Sequence, residues 1–111
     1  MLIDFSTLEE QKIPCFRGGE KVTTARMFVD PLVKIMSGHL EPGASIGMHT
    51  HETNSEIIHV LSGDGKVICD GQTEVLHAGS CHYCPKGHEH SLINDGTEDL
   101  EILAMIPTHG A

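Results

Sequence analysis

The sequence predicts a single all-β domain. Three observations carry that expectation. From about residue 20 onward the chain is a series of short apolar or alternating runs, and turn residues separate them at roughly 8–12-residue intervals. No stretch has the apolar period of a long helix. Glycine is also abundant: 12 of 111 residues is about 11%, against a usual ~7%. Such a chain makes many tight turns around one small core.

The elements follow in order. Residues 1–25 read as an N-terminal arm or edge strand. Within them Ser6-x-x-Glu9 has the form of a capping box and predicts one helical turn near residues 7–12. Lys21–Val29 and Val33–Leu40, rich in β-branched and apolar residues, are the first long strands. Pro42-Gly43 turns the chain into a strand over Ser45–His51, and a short loop at 52–55 leads to Glu56–Leu61. Gly63-Asp64-Gly65 precedes Lys66–Asp70, and Asp70-Gly71 precedes Thr73–His77. Ser80–Cys84 is next, followed by Lys86-Gly87 and His88–Asn94. Asn94-Asp95-Gly96 then leads to the last strand, Leu100–Ile106. These turn pairs supply the positive φ angles that tight hairpins need.

Charge removes two classes of partner. Seven Lys and Arg against sixteen Asp and Glu give a net charge of −9 with histidine neutral. A nucleic-acid binder needs a basic face to neutralise phosphates, and an anionic membrane surface attracts the same feature. Neither partner is expected. Met1–Glu10 carries three acids and no long apolar run, and no window approaches the ~18 apolar residues of a membrane helix. The expected location is cytoplasmic, with Cys15, Cys69, Cys81 and Cys84 reduced. Cys81-His82-Tyr83-Cys84, followed by His88 and His90, has zinc-ligand types at short intervals. No second pair lies at finger or ribbon spacing, so the cysteines read as small buried hydrophobes.

The chemistry rests with the nine histidines. His49 and His51 project from one face of a strand, because side chains alternate. Glu56 opens the next strand and would lie across from them if the two strands pair as a hairpin. His90, on a separate strand, is the natural third imidazole. Three imidazoles and a carboxylate converging inside a barrel can hold a divalent transition metal.

The spacing makes this specific. Gly43-x5-His49-x-His51-x4-Glu56-x6-Gly63 is followed by Gly79-x5-Pro85-x-Gly87-x2-His90-x3-Asn94. At roughly one in 20 per position, ten fixed positions recur by chance about once in 10^13 trials. These two segments resemble the first and second motifs of the cupin superfamily at each defining position. The 15-residue interval Asp64–Ala78 is similar to that of small single-domain microbial cupins. The resemblance implies a conserved barrel (a double-stranded β-helix, or jelly roll) spanning residues 1–111 as one domain, often a homodimer. It also implies His49, His51, Glu56 and His90 as ligands of one Fe, Mn, Ni or Zn ion per chain. Gly43, Gly63, Gly79 and Gly87 would then serve turns, Pro85 a strand boundary and Asn94 a hairpin end.

The remaining histidines divide. His59 alternates with Glu56, Ile58 and Val60 and should point outward, while His39, His77 and His109 belong to no pattern. His82, His88 and Tyr83 flank the second motif and are candidates to orient a ligand or move a proton. Alternation puts Cys81 and Tyr83 on one face and His82 and Cys84 on the other, without saying which is inside. Arg26 is a candidate anchor for a substrate anion, set against the reading of a surface arginine. With no Trp, one Tyr and three Phe, a small polar or aliphatic ligand fits better than a large stacking one. The first expectation is a metal-dependent oxygenase, isomerase or lyase acting on a small oxygenated metabolite. The alternative is a non-catalytic module that binds a small ligand or a metal.

Overall fold

A computed structural model describes residues 1–110 and contains ten strands in two antiparallel sheets. The strands are β1 (Gln11–Pro14), β2 (Val22–Val29), β3 (Val33–Leu40), β4 (Ser45–Thr50) and β5 (Glu56–Ser62), then β6 (Asp64–Cys69), β7 (Gln72–His77), β8 (Cys81–Cys84), β9 (Glu89–Ile93) and β10 (Leu100–Pro107). One sheet runs β1-β2-β3-β10-β5-β8 and the other β4-β9-β6-β7. The two inner faces bury one core, as a jelly-roll barrel requires. No helix among the described residues is long and apolar enough to cross a membrane.

Nine strands lie where the turn signals predict them. The motif glycines Gly43, Gly63, Gly79 and Gly87 all have positive φ. Gly63 carries a second constraint: a Cβ there would fall 2.4 Å from the carbonyl oxygen of Asp99. Asn94 is fully buried and locks a hairpin end, its Nδ2 donating to the carbonyls of Leu40 and Glu98 at 2.8 Å and its Oδ1 accepting from Gly96 N.

The helical turn expected near residues 7–12 is corrected. Asp4, not Ser6, caps a 3-10 turn at Phe5–Thr7, accepting from both Ser6 N and Ser6 Oγ. The chain then extends as β1, which pairs with β2, so no helical turn forms over 7–12. A strand pairing gives the backbone of these residues its partners, and that outweighs a weak local capping signal.

Register gives the barrel two ends. Leu40 sits opposite Leu100 on β3 and β10, and both are fully buried, as are Val60 and Ile102. That end is closed. Toward the other end, the same strands carry Lys34, Met36, Glu56, Ile58 and Ile106, which line a pocket.

Candidate metal centre

His49 and His51 reach the pocket from β4 and the residue just beyond it, Glu56 from the start of β5, and His90 from β9. The expected hairpin between the first two segments does not form. β4 pairs with β9, placing His49 directly opposite His90, while β5 belongs to the other sheet and pairs with β10 and β8. Glu56 therefore meets the histidines across the barrel interior, because the jelly roll sends consecutive strands to opposite sheets.

A bulge aims the histidines. Ser45 and Ile46 pair with Ile93 and Leu92, but the next pairs are His49 with His90 and Thr50 with Glu89. Three steps on β4 thus match two on β9, leaving one extra residue at Gly47–Met48. The shift lets Ile46, three residues before His49, join the core, while His49 and His51 still face inward.

The four side chains converge closely. Glu56 Oε1 lies 3.0 Å from His51 Nε2, 2.9 Å from His90 Nε2 and 3.7 Å from His49 Nε2. His90 Nε2 is 3.0 Å from His51 Nε2 and 3.1 Å from His49 Nε2. The three rings stand edge to face, with centroids 4.7–4.9 Å apart.

Hydrogen bonds on the far side of each ring fix what these nitrogens carry. His49 Nδ1–H donates to the Gly47 carbonyl at 2.7 Å, and His51 Nδ1–H donates to Asn54 Oδ1 at 2.6 Å. His90 Nδ1–H donates to His82 Nε2 at 2.9 Å. A neutral imidazole has one N–H, so in their neutral forms all three present an Nε2 lone pair. Glu56 adds a fourth. Burial alone would push its carboxyl up, but without a metal, Nε2 protons of the surrounding imidazoles hydrogen-bond to it and hold it far below the usual carboxylate range, and a cation would take the place of those protons. Four electron-pair donors facing one another call for a cation. The spacing suits one: with bonds of ~2.1 Å, neighbouring donors lie ~3.0 Å apart on an octahedron and ~3.4 Å on a tetrahedron. Four of the five distances above are 2.9–3.1 Å. The four groups are compatible with a bound metal ion, and an octahedral one would have two positions left open.

The pocket above this group has about 410 Å³ of empty space, counting its open mouth. Its walls are Phe16, Met36, Ile46, Ile58, Leu92 and Ile106. Two cations complete the lining, Arg17 and Lys34, and neither pairs with a carboxylate among the described residues. Sequence reading missed both. Arg17 comes from the turn Cys15–Gly19, where Cys15 and Arg17 adopt the left-handed conformation at φ 51° and 55°. Gly19 and Gly47 let this turn lie against β4: a Cβ at Gly47 would fall 2.1 Å from Arg17 O, and one at Gly19 2.1 Å from Ser45 O.

The other candidates part company. His82 is inside, stacked on His90 with centroids 5.2 Å apart. Tyr83 is on the outer face of β8 with Cys81 and is 58% exposed, so strand alternation takes it away from the pocket. His88 is also exposed, hydrogen-bonded to Asp70 in the turn before β9. Arg26 lies outside the pocket and holds the N-terminal arm, donating to Leu8 O at 2.6 Å and pairing with Glu10 at 3.1 Å. The Cys81-x-x-Cys84 pair is split by the same alternation, and Cys84 instead points inward near Cys69 and His82. Burial pushes the Cys84 thiol up to about 12. His59 is on the outward side of β5, as expected.

Comparison with known proteins decides the family. The family model described as "Cupin domain" matches residues 36–106. The chain is a cupin. This cupin is 40% identical over 67 residues to an oxalate-binding protein of Thermotoga maritima, a match covering 60% of the chain and 55% of that relative. It is 34% identical over 66 residues to a mannose-1-phosphate guanylyltransferase of Klebsiella pneumoniae, again over 60% of the chain but only 14% of the enzyme. The matched segment thus spans about half the first relative and a small part of the second. Among solved structures, the cupin is similar to a predicted oxalate decarboxylase of Thermotoga maritima, with TM-score 0.86 and 30% identity over 97% of this chain and 99% of that one. The cupin domain of Schizosaccharomyces pombe Cnp3 shares the fold, with TM-score 0.79 and 14% identity over 97% of this chain and 74% of that one.

Proposed function

We propose that this cupin holds one divalent transition metal on His49, His51, Glu56 and His90, and that the metal binds a small carboxylate ligand of the oxalate class. The observation that carries the reading is the convergence of three Nε2 lone pairs and one carboxylate oxygen, every Nδ1 being committed elsewhere. Two open coordination positions suit a bidentate oxygen ligand. Neutral imidazoles and a single carboxylate leave a divalent site net positive, so it attracts an anion despite the acidic chain. Arg17 and Lys34 add to that attraction at the pocket wall. Likeness to a protein named for oxalate binding supports the ligand class. Glu56 is the lining's single carboxylate, and its other charged groups are Arg17 and Lys34. That lining favours holding an anion over proton transfer by a second carboxylate, so binding is put before turnover.

Elemental analysis of protein purified without chelator or a histidine tag is expected to find close to one metal per chain. Oxalate added to it should give saturable heat in calorimetry, and none after the metal is stripped. Arg17→Ala should weaken oxalate binding about tenfold at unchanged metal content, since a charged hydrogen bond contributes roughly 1.5–3 kcal/mol and this one is at an exposed rim. Protein that binds no metal after reconstitution contradicts the proposal. Conversion of oxalate to product by the loaded protein would make it an enzyme.

Acid should weaken the metal. The hydrogen bond to Glu56 raises the His51 pKa above its ordinary 6.5, so a proton occupies that nitrogen in the metal-free protein already above this value. Metal must displace it, and its apparent affinity should fall by up to tenfold per unit as pH drops from about 7 to 5. A dissociation constant that stays flat over that range would count against His51 as a ligand.

A further inference from the structure

His82 and Glu74 have no part in the motif that names the ligands, yet they continue the metal centre outward. Glu74 Oε1 lies 2.7 Å from His82 Nδ1, and His82 Nε2 lies 2.9 Å from His90 Nδ1. The His82 side chain is fully buried, while that of Glu74 is half exposed. A carboxylate only accepts, so His82 carries its proton on Nδ1 and donates it to Glu74. Its Nε2 is then an acceptor, and His90 must supply Nδ1–H. The His90 Nε2 lone pair is thereby fixed and aimed at Glu56, His51 and His49. The chain of tautomers runs from a surface carboxylate to one ligand atom, and among the described residues neither His82 nitrogen has another hydrogen-bond partner.

We propose that Glu74 and His82 form a positioning pair that sets His90 in the orientation and tautomer needed to bind the metal, and strengthens it as a donor. The inference rests on the metal reading above. Partners behind a ligating imidazole orient its ring and raise its basicity, and losing them typically costs 10–100-fold in metal affinity. The pair also has an architectural meaning. Glu74 is on β7 and His82 on β8, the edge strands of the two sheets, so their bond bridges the barrel seam. An effect on stability alone would therefore not identify the role.

The test uses the full chain loaded with Cu(II) as a spectroscopic probe and a competing chelator to measure affinity. Glu74 is half exposed, so Glu74→Ala spares the fold, and it is expected to weaken the metal about tenfold. Glu74→Gln keeps an acceptor for His82 and should recover most of that loss. His82→Phe keeps a ring against His90 but removes its acceptor, and should cost 10–100-fold. In pulsed paramagnetic resonance the signal of a remote imidazole nitrogen should change in both Glu74→Ala and His82→Phe, because its hydrogen-bond partner is altered. A lower melting temperature with unchanged affinity and unchanged remote-nitrogen signal would reduce the pair to a seam clip and overturn the proposal. Wild-type protein holding two metals, falling to one in His82→Phe, would make His82 a ligand with Cys69 and Cys84 and overturn it equally. A wild-type protein that takes no metal would remove the metal reading, and this inference with it.

Discussion

His49→Ala protein is expected to stay folded and lose metal affinity by more than 100-fold. Structural zinc sites of four ligands bind with roughly 10–16 kcal/mol, so one ligand of four carries ~3 kcal/mol, or more than two decades in affinity. His49 is the informative position because of where it sits. Its side chain lines the open pocket, and its Nδ1 partner is the carbonyl of Gly47 two residues back. Truncation therefore enlarges a solvent-reachable space. His90 would be a poorer choice: its side chain is 1% exposed and accounts for the partner of His82, so His90→Ala would open a cavity and strand a buried nitrogen. Chelator competition measures the affinity, and circular dichroism melting checks the fold. Affinity within threefold of wild type would exclude His49 from the centre.

The same four residues mark how far local pattern reaches. The positions of β2–β10 were legible because Gly, Pro or Asn turns separate these strands, and few other residues accept the backbone conformations such turns need. The bounds of β1, within the residues 1–25 read as an arm or edge strand, were not legible because Gln11-Lys12-Ile13-Pro14 has neither alternation nor a β-rich composition, and it becomes a strand only because the β2 edge offers it partners. The ligand residues could be chosen from spacing, but not the way they meet. His49 faces His90 across a ladder and Glu56 across the barrel, and both relations are set by sheet order. The bulge at Gly47–Met48 was equally hidden, since an extra residue in a strand leaves no mark in a run of six. Long-range chemistry was the least readable. Nothing near Arg17 or Lys34 signals a pocket, and nothing near Glu74 signals a ligand's partner. Arg26, the arginine weighed as an anion anchor against a surface role, holds the N-terminal arm instead.

Gly47→Ala is expected to destabilise the protein by about 3 kcal/mol, the upper end for overpacking, and to weaken oxalate binding by at least the roughly tenfold expected of Arg17→Ala while sparing the metal. The new Cβ would sit 2.1 Å from the carbonyl oxygen of Arg17 and 2.9 Å from Gly19 N. Both are backbone atoms, so no side chain can swing away to make room. The turn Cys15–Gly19 must lift from β4, carrying Phe16 and Arg17 out of the pocket wall. The ligand atoms should hold, because His49 and His90 are fixed by the β4–β9 ladder on the other side of that strand. At roughly 4 °C per kcal/mol for a chain of this size, the melting temperature should fall by about 12 °C. Gly18→Ala is the control. Gly18, unlike Gly47, has positive φ, at 79°, but nothing lies within 4 Å of its would-be Cβ, so that change should cost only ~1 kcal/mol of backbone strain and leave the turn docked. Equal melting of the two variants, with oxalate binding intact in both, would mean that the close approach of Gly19 and Gly47 does not hold the turn, and that Arg17 reaches the ligand by no such route.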